Sequence, residues 1–425
     1  MRRWIPSIIC LLALVVPAVV AAAPTLTLGE CLERGATNNP LLKATRRDKG
    51  IAAATVRQSA SPFYPRLDLQ GGYTMQQAPQ AVVINGRTAE TQEADYGFVN
   101  AAVTYTLYDF GRRDARHQLA RASAEAVDYT VNAREQDVAL QIIGSYFGIL
   151  EAQRLVKAAE EEVVQVGEHK KIADSLFQQG MVTRNDVLQA DVRLASARQK
   201  LLATRNGREN LWLQLNYLVG NDAGFRAELD EQADLALPEG TPVDPQQSVE
   251  NRPELRSLRK NLAASEFELN ESKSAFYPEI FSKLALDYVQ NDKVSEQTIM
   301  SATVGLKVNL FDGFATTAAR QRAVESRARA EETLRQTEAQ ARLELTSAGN
   351  DARVARQRIA VTETAIQQSE ENLRINRDRY QARVGTATDV LDAQTLLTQA
   401  KTEYFQALYD FQVASARVRR AMGEL

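Results

Sequence analysis

Two aspartates near the end of the chain form the most suggestive pair of chemically active side chains. Asp389 and Asp392 lie in a stretch of helix-forming residues, and a spacing of three places both carboxylates on one face of a helix. Such a pair can attract cations, or it can stabilise the first turn of the helix through the helix dipole. The corresponding segment in the first half of the chain has Asp186 but carries Gln189 in place of the second acid.

The remaining side chains do not form a catalytic or metal-binding set. The only histidines, His117 and His169, are 52 residues apart (169 − 117) in one helical stretch. The sequence has neither a glycine-rich phosphate loop nor a nucleophile elbow. Cys31 is expected to be a small buried helix residue. We therefore predict that the protein is not an enzyme and needs no cofactor or metal.

The first residues have the order of an export signal. Arg2 and Arg3 precede an apolar run at 8–20 that ends in small residues, so we predict a signal peptide over 1–22. Its removal leaves 49 basic residues (51 − 2) against 54 acidic ones, a net charge of −5, which is not typical of a nucleic-acid-binding protein. The mature chain then has a single cysteine and no internal disulfide.

The elements that position these side chains occur twice. One set of motifs recurs with an offset of 213 residues (253 − 40, 278 − 65), and it comprises Asn39-Pro40 with Arg252-Pro253 and Phe63-Tyr64-Pro65 with Phe276-Tyr277-Pro278. A second set recurs with an offset of 203 (312 − 109, 389 − 186, 423 − 220), and it comprises Asp109 with Asp312, Asp186 with Asp389, and Gly220 with Gly423. The difference of ten residues (213 − 203) indicates one longer loop in the first copy. Constant spacing indicates one supersecondary unit used twice.

Each unit contains two segments in which apolar and polar residues alternate. Period two is the signature of a strand, and it predicts strands near 66–76, 96–108, 279–289 and 299–310. Strands of about ten residues suit a tilted bilayer crossing, although a half-buried sheet of a soluble domain shows the same alternation.

Four strands leave two open edges, which lipid does not allow, so a membrane sheet requires several chains. Two chains would give eight strands and a filled interior, whereas three chains would give twelve strands and a lumen. The polar face favours the wet lumen; it comprises Asp68, Gln70, Asn100, Lys283, Asp287 and Lys307.

Long proline-free segments rich in Ala, Glu, Gln, Arg and Leu predict helices over about 112–178 and 314–381. A helix of about 67 residues is ~100 Å long at 1.5 Å per residue. Shorter helices are expected over about 41–60, 185–217, 254–275 and 388–422, so each long helix and its successor form an antiparallel hairpin.

The predicted fold is therefore mainly α with membrane β. We predict a first repeat over 23–220, a second repeat over 254–425, and a proline-rich acidic linker without regular elements over 221–253.

The order, spacing and duplication of these motifs resemble the TolC family of outer-membrane efflux proteins over essentially all of the mature chain. The resemblance rests on Asn39-Pro40, the doubled Phe-Tyr-Pro turn, the doubled aromatic-Asp step, and Val384-Gly385-Thr386 followed by Asp-Val-Leu-Asp-Ala at 389–393. It implies a homotrimer in which a twelve-stranded β-barrel in the outer membrane continues as an α-barrel across the periplasm. It also implies a passive exit duct of a tripartite efflux or type I secretion system, docked to a periplasmic adaptor (membrane fusion) protein and an inner-membrane pump.

The resemblance assigns site residues as well. The hairpin turns would meet the adaptor through Gly180, Met181, Val182, Thr183, Val384, Gly385 and Thr386. Threefold symmetry would turn Asp389 and Asp392 into two acidic rings at a channel constriction. Tyr380 would be a hydrogen-bonding gate residue there, or else an ordinary packing aromatic. Glycine in these turns also has a purely structural explanation, because it permits a tight helix end.

A soluble periplasmic coiled-coil scaffold or adaptor is the alternative that the long helices leave open. Such a protein would have no use for four strands with a continuous apolar face and aromatic residues such as Tyr73, Tyr96, Tyr105 and Tyr288. The strand pattern therefore favours the duct.

Overall fold

The computed structural model describes residues 25–235 and 249–425. The predicted signal peptide and residues 236–248 of the predicted linker lie outside the described residues. The helices are α1 (Leu28–Asn38), α2 (Pro40–Ala60), α3 (Arg112–Gln178), α4 (Arg184–Val219), α5 (Pro253–Ser274), α6 (Ala315–Gln381) and α7 (Ala387–Met422). The strands are β1 (Thr25–Leu26), β2 (Arg66–Met75), β3 (Gln80–Ile84), β4 (Arg87–Gln92), β5 (Asp95–Tyr108), β6 (Glu228–Leu229), β7 (Glu279–Val289) and β8 (Thr298–Lys307).

The four long strands form one antiparallel sheet in the order β2-β5-β7-β8. Its register repeats with the same offsets as the sequence. Arg66 lies opposite Thr104 on the β2–β5 pair. Adding 213 to the first number and 203 to the second gives Glu279 and Lys307 (66 + 213, 104 + 203), which lie opposite each other on the β7–β8 pair. The duplication therefore extends to the pairing of individual residues.

The extra residues of the first repeat form a second, smaller hairpin. β3 and β4 pair with each other. In the sequence they lie between β2 and β5, where the longer loop of the first copy was predicted. Asn85 and Gly86 join the two strands with φ values of 51° and 78°. Positive φ at both central residues is the condition for the two-residue turn that best fits twisted strands, which explains the Asn-Gly sequence.

The long helices pack side by side with their neighbours. α3 packs along α4, and α6 packs along α7, while α7 also lies against α3. Closer to the strands, α5 packs between α3 and α6, and α2 lies on the outer side of α3. Across the described residues, no helix combines the length with the apolar character that a bilayer crossing requires.

The largest apolar cluster holds the two ends of the first repeat together. Tyr146 of α3 is fully buried, and its hydroxyl donates to the carbonyl oxygens of Leu26 (3.1 Å) and Asp230 (2.8 Å). These bonds fix β1 against β6, which pair in parallel. The prediction that 221–253 lacks regular elements is thus wrong for Glu228–Leu229, because a two-residue strand is too short to produce a sequence pattern.

The Asn39-Pro40 and Arg252-Pro253 motifs meet the repeated glycines where each repeat begins and ends. The side chain of Asn39 accepts from the backbone N–H of Leu42 (3.1 Å) and donates to the carbonyl of Leu218 (2.9 Å), so it joins the start of α2 to the end of α4. Gly220 ends α4 with φ 73°, and a Cβ there would lie 2.8 Å from the Cβ of Asn38. Gly423 ends α7 in the same way, with φ 79°.

Substituting Ala for Gly220 is expected to destabilise the protein by ~2 kcal/mol, because a left-handed backbone costs a residue with a Cβ about 1–2 kcal/mol. The added clash with Asn38 increases this cost. Gly224→Ala is the matched control, since a Cβ at Gly224 meets nothing within 4 Å. The urea midpoint of the helical circular dichroism in detergent measures both effects. Equal midpoints for the two variants would contradict the packing described at Gly220.

Candidate functional site

The two helical hairpin turns lie far from the sheet. α3 and α6 each run for 67 residues away from the strands, which is about 100 Å at 1.5 Å per residue. Residues 179–183 then join α3 to α4, and residues 382–386 join α6 to α7. The hydroxyl of Thr388 donates to Gln189 (3.4 Å), so the two tips are neighbours at the same end of the molecule.

A residue with positive φ closes each turn, but the two residues differ in type. Gly180 has φ 67° in the first turn, and Arg383 has φ 65° in the second. They are counterparts in the repeat, since 180 + 203 is 383. The residue with positive φ in the second turn is therefore Arg383 and not Gly385. A Cβ at Gly385 would lie 3.1 Å from the Cβ of Arg379 and 3.3 Å from the backbone nitrogen of Tyr380, so glycine there permits a close approach of the chain within the turn.

Both return helices begin with the same reciprocal cap. Thr386 donates its backbone N–H to the carboxylate of Asp389 (2.9 Å), and the Thr386 hydroxyl oxygen accepts from the N–H of Asp389 (3.2 Å). Thr183 and Asp186 repeat this arrangement at the start of α4. Hydrogen bonds from the backbone and side chain of Thr386 lower the pKa of Asp389 below its usual value. Asp389 thus stabilises the helix start, and its ionised carboxylate is exposed to solvent.

Asp392 lies one turn further along α7 and is also exposed. Within the described ranges, no donor pairs with its carboxylate, so the cap does not involve this second acid. A single chain therefore presents two carboxylates at the tip end of α7. Their arrangement in rings stays a prediction about the assembled protein.

The Tyr380 side chain is buried between helices, whereas the carboxylates of Asp389 and Asp392 are exposed at the surface. Its side chain is only 6% exposed and packs against the ring of His169, with 5.2 Å between ring centroids. Burial raises the pKa of Tyr380 and lowers that of His169. Among the described residues, neither the Tyr380 hydroxyl nor Nε2 of His169 has a hydrogen-bond partner. In the single chain, this geometry favours the packing interpretation of Tyr380 over the gating one.

The predicted docking residues divide into an exposed and a half-buried group. Those exposed at the tips are Gly180, Met181, Thr183, Val384 and Thr386. The half-buried ones are Val182, which packs against the apolar cluster around Leu373 and Val390, and Gly385. Val384 is 68% exposed and Met181 is 42% exposed, so two apolar side chains project from the tips without a partner in the described part of the chain.

The sheet has one polar and one apolar face, as the alternation predicts. A row on the polar face comprises Gln70, Asn100 and Asp287, which lie directly opposite one another on β2, β5 and β7. Asn100 donates a hydrogen bond to the Asp287 carboxylate. The next row on the other face comprises Leu69, Ala101, Leu286 and Met300. Leu69 and Met300 are 76% and 82% exposed, so the apolar face is not covered by any part of the described chain.

No group of three or more His, Cys, Asp and Glu side chains in the described ranges could hold a metal ion. The charged clusters that the sequence analysis missed are structural. Arg420, for example, is 9% exposed and donates to Asp137 (2.7 Å) and Glu254 (3.2 Å). The helical pattern gives no signal for such a cluster, because its members are up to 283 residues apart (420 − 137).

Comparisons with known proteins identify the family. The family model described as outer membrane efflux protein matches residues 32–221 and 245–424. The outer membrane protein TolC of Vibrio cholerae is 21% identical over 408 residues, which cover 94% of this chain and 91% of that protein. The alkaline protease secretion protein AprF of Pseudomonas aeruginosa is 24% identical over 360 residues, which cover 80% of this chain and 72% of that protein.

Solved structures show the same fold. The outer-membrane channel protein CusC superimposes with a TM-score of 0.83 at 17% identity, covering 94% of this chain and 93% of that one. VceC of Vibrio cholerae superimposes with a TM-score of 0.81 at 19% identity, covering 93% and 96%. The predicted family and fold are confirmed. Because the family model spans most of both repeats, the chain belongs to the outer membrane efflux protein family, whose channel-forming members lie in the outer membrane and extend into the periplasm.

Proposed function

We propose that three copies of this chain close into one duct that crosses the outer membrane and continues through the periplasm. The chain is an outer-membrane exit duct of the kind used in efflux and type I secretion. The observation that carries the assembly is the four-stranded sheet with unpaired outer edges on β2 and β8 and one exposed apolar face. Lipid tolerates neither open edges nor unpaired backbone groups, so the sheet must pair with further copies.

The helical layer supports the periplasmic part of this duct. α3 and α6 extend about 100 Å beyond the sheet. α4 and α6 both expose apolar side chains along their length, including Leu188, Val192, Val361 and Ile375. Neighbouring copies would cover these side chains, since long helices in water bury their apolar stripe against other helices.

We further propose that the duct is passive and that the tips meet a periplasmic adaptor, which in turn joins an inner-membrane pump. The exposed apolar Met181 and Val384 support this role, because an unpartnered apolar pair at the end of a long projection favours a protein contact. The lack of a catalytic constellation in the sequence supports the proposal that the chain catalyses no reaction.

The native mass of detergent-extracted protein tests the assembly. We expect the protein in the outer-membrane fraction, resistant to salt extraction, with a native mass of three chains after subtraction of detergent. Size-exclusion chromatography with light scattering measures this mass. A single chain released by salt from the periplasmic side would contradict the proposal, and would favour the coiled-coil scaffold instead.

Val384→Asp is expected to weaken binding to the adaptor by at least about tenfold, because a buried unpaired charge in an apolar contact costs more than ~1.4 kcal/mol. Val83→Asp is the matched control. Val83 is equally exposed at 68% but lies in the β3–β4 hairpin at the other end of the molecule. Binding of each purified trimer to the immobilised adaptor measures the effect. Equal losses in both variants, or none in either, would contradict docking at the tips.

A further inference from the structure

Two lysines on the polar face of the β7–β8 pair have no acidic partner within the described part of the chain. Lys283 of β7 lies directly opposite Thr303 of β8. Lys307 ends β8 opposite Glu279, but the carboxylate of Glu279 accepts a hydrogen bond from the hydroxyl of Thr106 (2.7 Å). Both lysine side chains are exposed. Their ammonium groups, carried on flexible stems, are therefore available to an anion.

An aromatic ring lies between these two lysines. Phe281 of β7 is directly opposite Gly305 of β8. A Cβ at Gly305 would lie 2.5 Å from Cζ and 2.8 Å from Cε1 of Phe281, so the ring occupies the space that a side chain at 305 would fill. Lys283 and Lys307 each follow by two residues, about 7 Å along their strands. Because the strands are antiparallel, the two lysines lie on opposite sides of the ring.

The first repeat has the same strand pair without this set of residues. The counterparts of 281 and 283 are Asp68 and Gln70 (281 − 213, 283 − 213), and those of 305 and 307 are Ala102 and Thr104 (305 − 203, 307 − 203). Asp68 lies opposite Ala102, in the register that places residue 281 opposite residue 305. The sheet therefore forms without the ring, the glycine or the lysines, and its geometry does not explain them.

We propose that Phe281, Lys283 and Lys307 form a binding site for aromatic carboxylates on the polar face of the sheet. This inference rests on the proposed assembly, in which that face lines the lumen, and it names a class of cargo for the duct. The carboxylate pairs with an ammonium group and accepts from the hydroxyl of Thr303, while the planar ring of the ligand packs against Phe281.

The site lies where the helical part of the duct meets the barrel. β7 begins at Glu279, directly after α5, and β8 ends at Lys307, shortly before α6. Three copies of the chain place three such sites around the lumen at this level. Cargo that passes from the helices into the barrel therefore encounters six ammonium groups and three aromatic rings.

A general attraction of anions by the lumen is the simpler explanation that the test must separate from a site. Arg66 provides the comparison, because it lies on the same face as Lys283, with Thr104 directly opposite both. Its guanidinium pairs with Asp68 (2.9 Å). An overall positive field would depend on Arg66 as much as on Lys283, whereas the proposed site depends on Lys283 and on the ring beside it.

Block of single-channel current by 1-naphthoate tests the site. The trimer is reconstituted in planar bilayers, and the half-blocking concentration is compared with that of hexanoate, an aliphatic carboxylate of equal charge. We expect 1-naphthoate to block at a concentration about threefold lower, because only its ring stacks on Phe281. Phe281→Leu keeps an apolar side chain but should abolish this preference.

Lys283→Gln and Lys307→Thr introduce the residues that the first repeat carries at the counterpart positions, so both variants should keep the fold. Each is expected to raise the half-blocking concentration of 1-naphthoate by about fivefold, since an exposed ion pair contributes at most ~1 kcal/mol. A native mass of three chains for each variant verifies its assembly.

Arg66→Gln is the matched control, because it removes one positive charge from the same face, and it should leave the block unchanged. Equal effects of Arg66→Gln and Lys283→Gln, or a preference for 1-naphthoate that persists in Phe281→Leu, would overturn the site alone. An unsubstituted channel that conducts but is blocked by neither compound would do the same. A native mass of one chain would overturn the proposed duct and this site with it.

Discussion

Replacing Asp389 and Asp392 together by Asn is expected to lower the cation preference of the reconstituted channel by about fivefold, since one unit charge at 4 Å contributes ~1 kcal/mol in water and 1.4 kcal/mol corresponds to tenfold. Three chains would bring six carboxylates to one constriction. Both side chains are exposed in the single chain, so their charge is available to ions. Reversal potentials across a salt gradient in planar bilayers measure the change.

Single substitutions separate the two functions of these acids. Asp389 also caps α7, whereas Asp392 takes no part in the cap. Asn at 389 retains an oxygen that can accept from Thr386, so the double variant should keep its fold. Asp392→Asn alone should show part of the loss in cation preference. Asp186→Asn is the control, because its segment carries the same cap but only Gln189 in the second position.

Unchanged selectivity in the double variant would contradict the acidic constriction and leave capping as the role of Asp389. A selectivity change of the same size in Asp186→Asn would also contradict it, since the effect would then follow from the caps.

Arg420→Ala is expected to reduce the free energy of unfolding by ~2 kcal/mol at neutral pH, because Arg420 is buried while its partners Asp137 and Glu254 are partly exposed, which places the loss between that of an exposed pair and that of a fully buried one. Arg420 joins α7 to Asp137 of the first repeat and Glu254 of the second. Nearby, Arg252 is 6% exposed and pairs with Glu254 and Glu344. The cluster therefore joins the start and the end of the second repeat to α3 of the first. Urea titration in detergent measures the change.

The pH dependence of the unfolding free energy shows whether the destabilisation by Arg420→Ala is ionic in origin. Burial by itself raises the pKa of Glu254, but its backbone hydrogen bond and the guanidinium groups of Arg420 and Arg252 lower it below the usual value. A carboxyl whose folded pKa is lowered stabilises the fold above its unfolded pKa, and this contribution is lost as the pH falls through the folded pKa. The difference between Arg420→Ala and the unsubstituted chain should therefore shrink in acid.

Arg205→Ala is the control for this second prediction. Arg205 pairs with Glu160 at 2.6 Å, but the two side chains are 50% and 47% exposed. Such a pair contributes at most about 1 kcal/mol. Similar losses in both variants, or a difference for Arg420→Ala that does not depend on pH, would contradict the ionic cluster.

The sequence determined the repeated plan of the protein because that plan depends on local patterns. Proline positions limit the helices, since proline cannot continue one, and period-two alternation marks each long strand. The observed β2, β5 and β7 begin and end within one residue of the predicted limits. The register of β7–β8 repeats that of β2–β5 with the two offsets of the sequence motifs, because each residue of a regular strand advances the pairing by one position.

The candidate site could be predicted only in part. Thr183, Asp186, Thr386 and Asp389 form helix caps, whose members are three residues apart and therefore visible in the sequence. The exposure of Met181 and Val384 depends on the same local turns. Gly385 serves the turn by permitting close approach of the chain and not by a positive φ, and sequence does not distinguish these two uses of glycine.

Only the tertiary structure decided which side chains meet across large distances in the chain. It placed Tyr380 against His169 inside the helical layer, although both residues lie in helices whose patterns are mostly polar. It brought Arg420 to Asp137 and Glu254, and it ended β8 at Lys307, three residues before the predicted limit of 310. These outcomes depend on contacts between distant segments, and the geometry of such contacts follows from packing and strand pairing. Helix ends and strand alternation, in contrast, follow from residues within a few positions of one another.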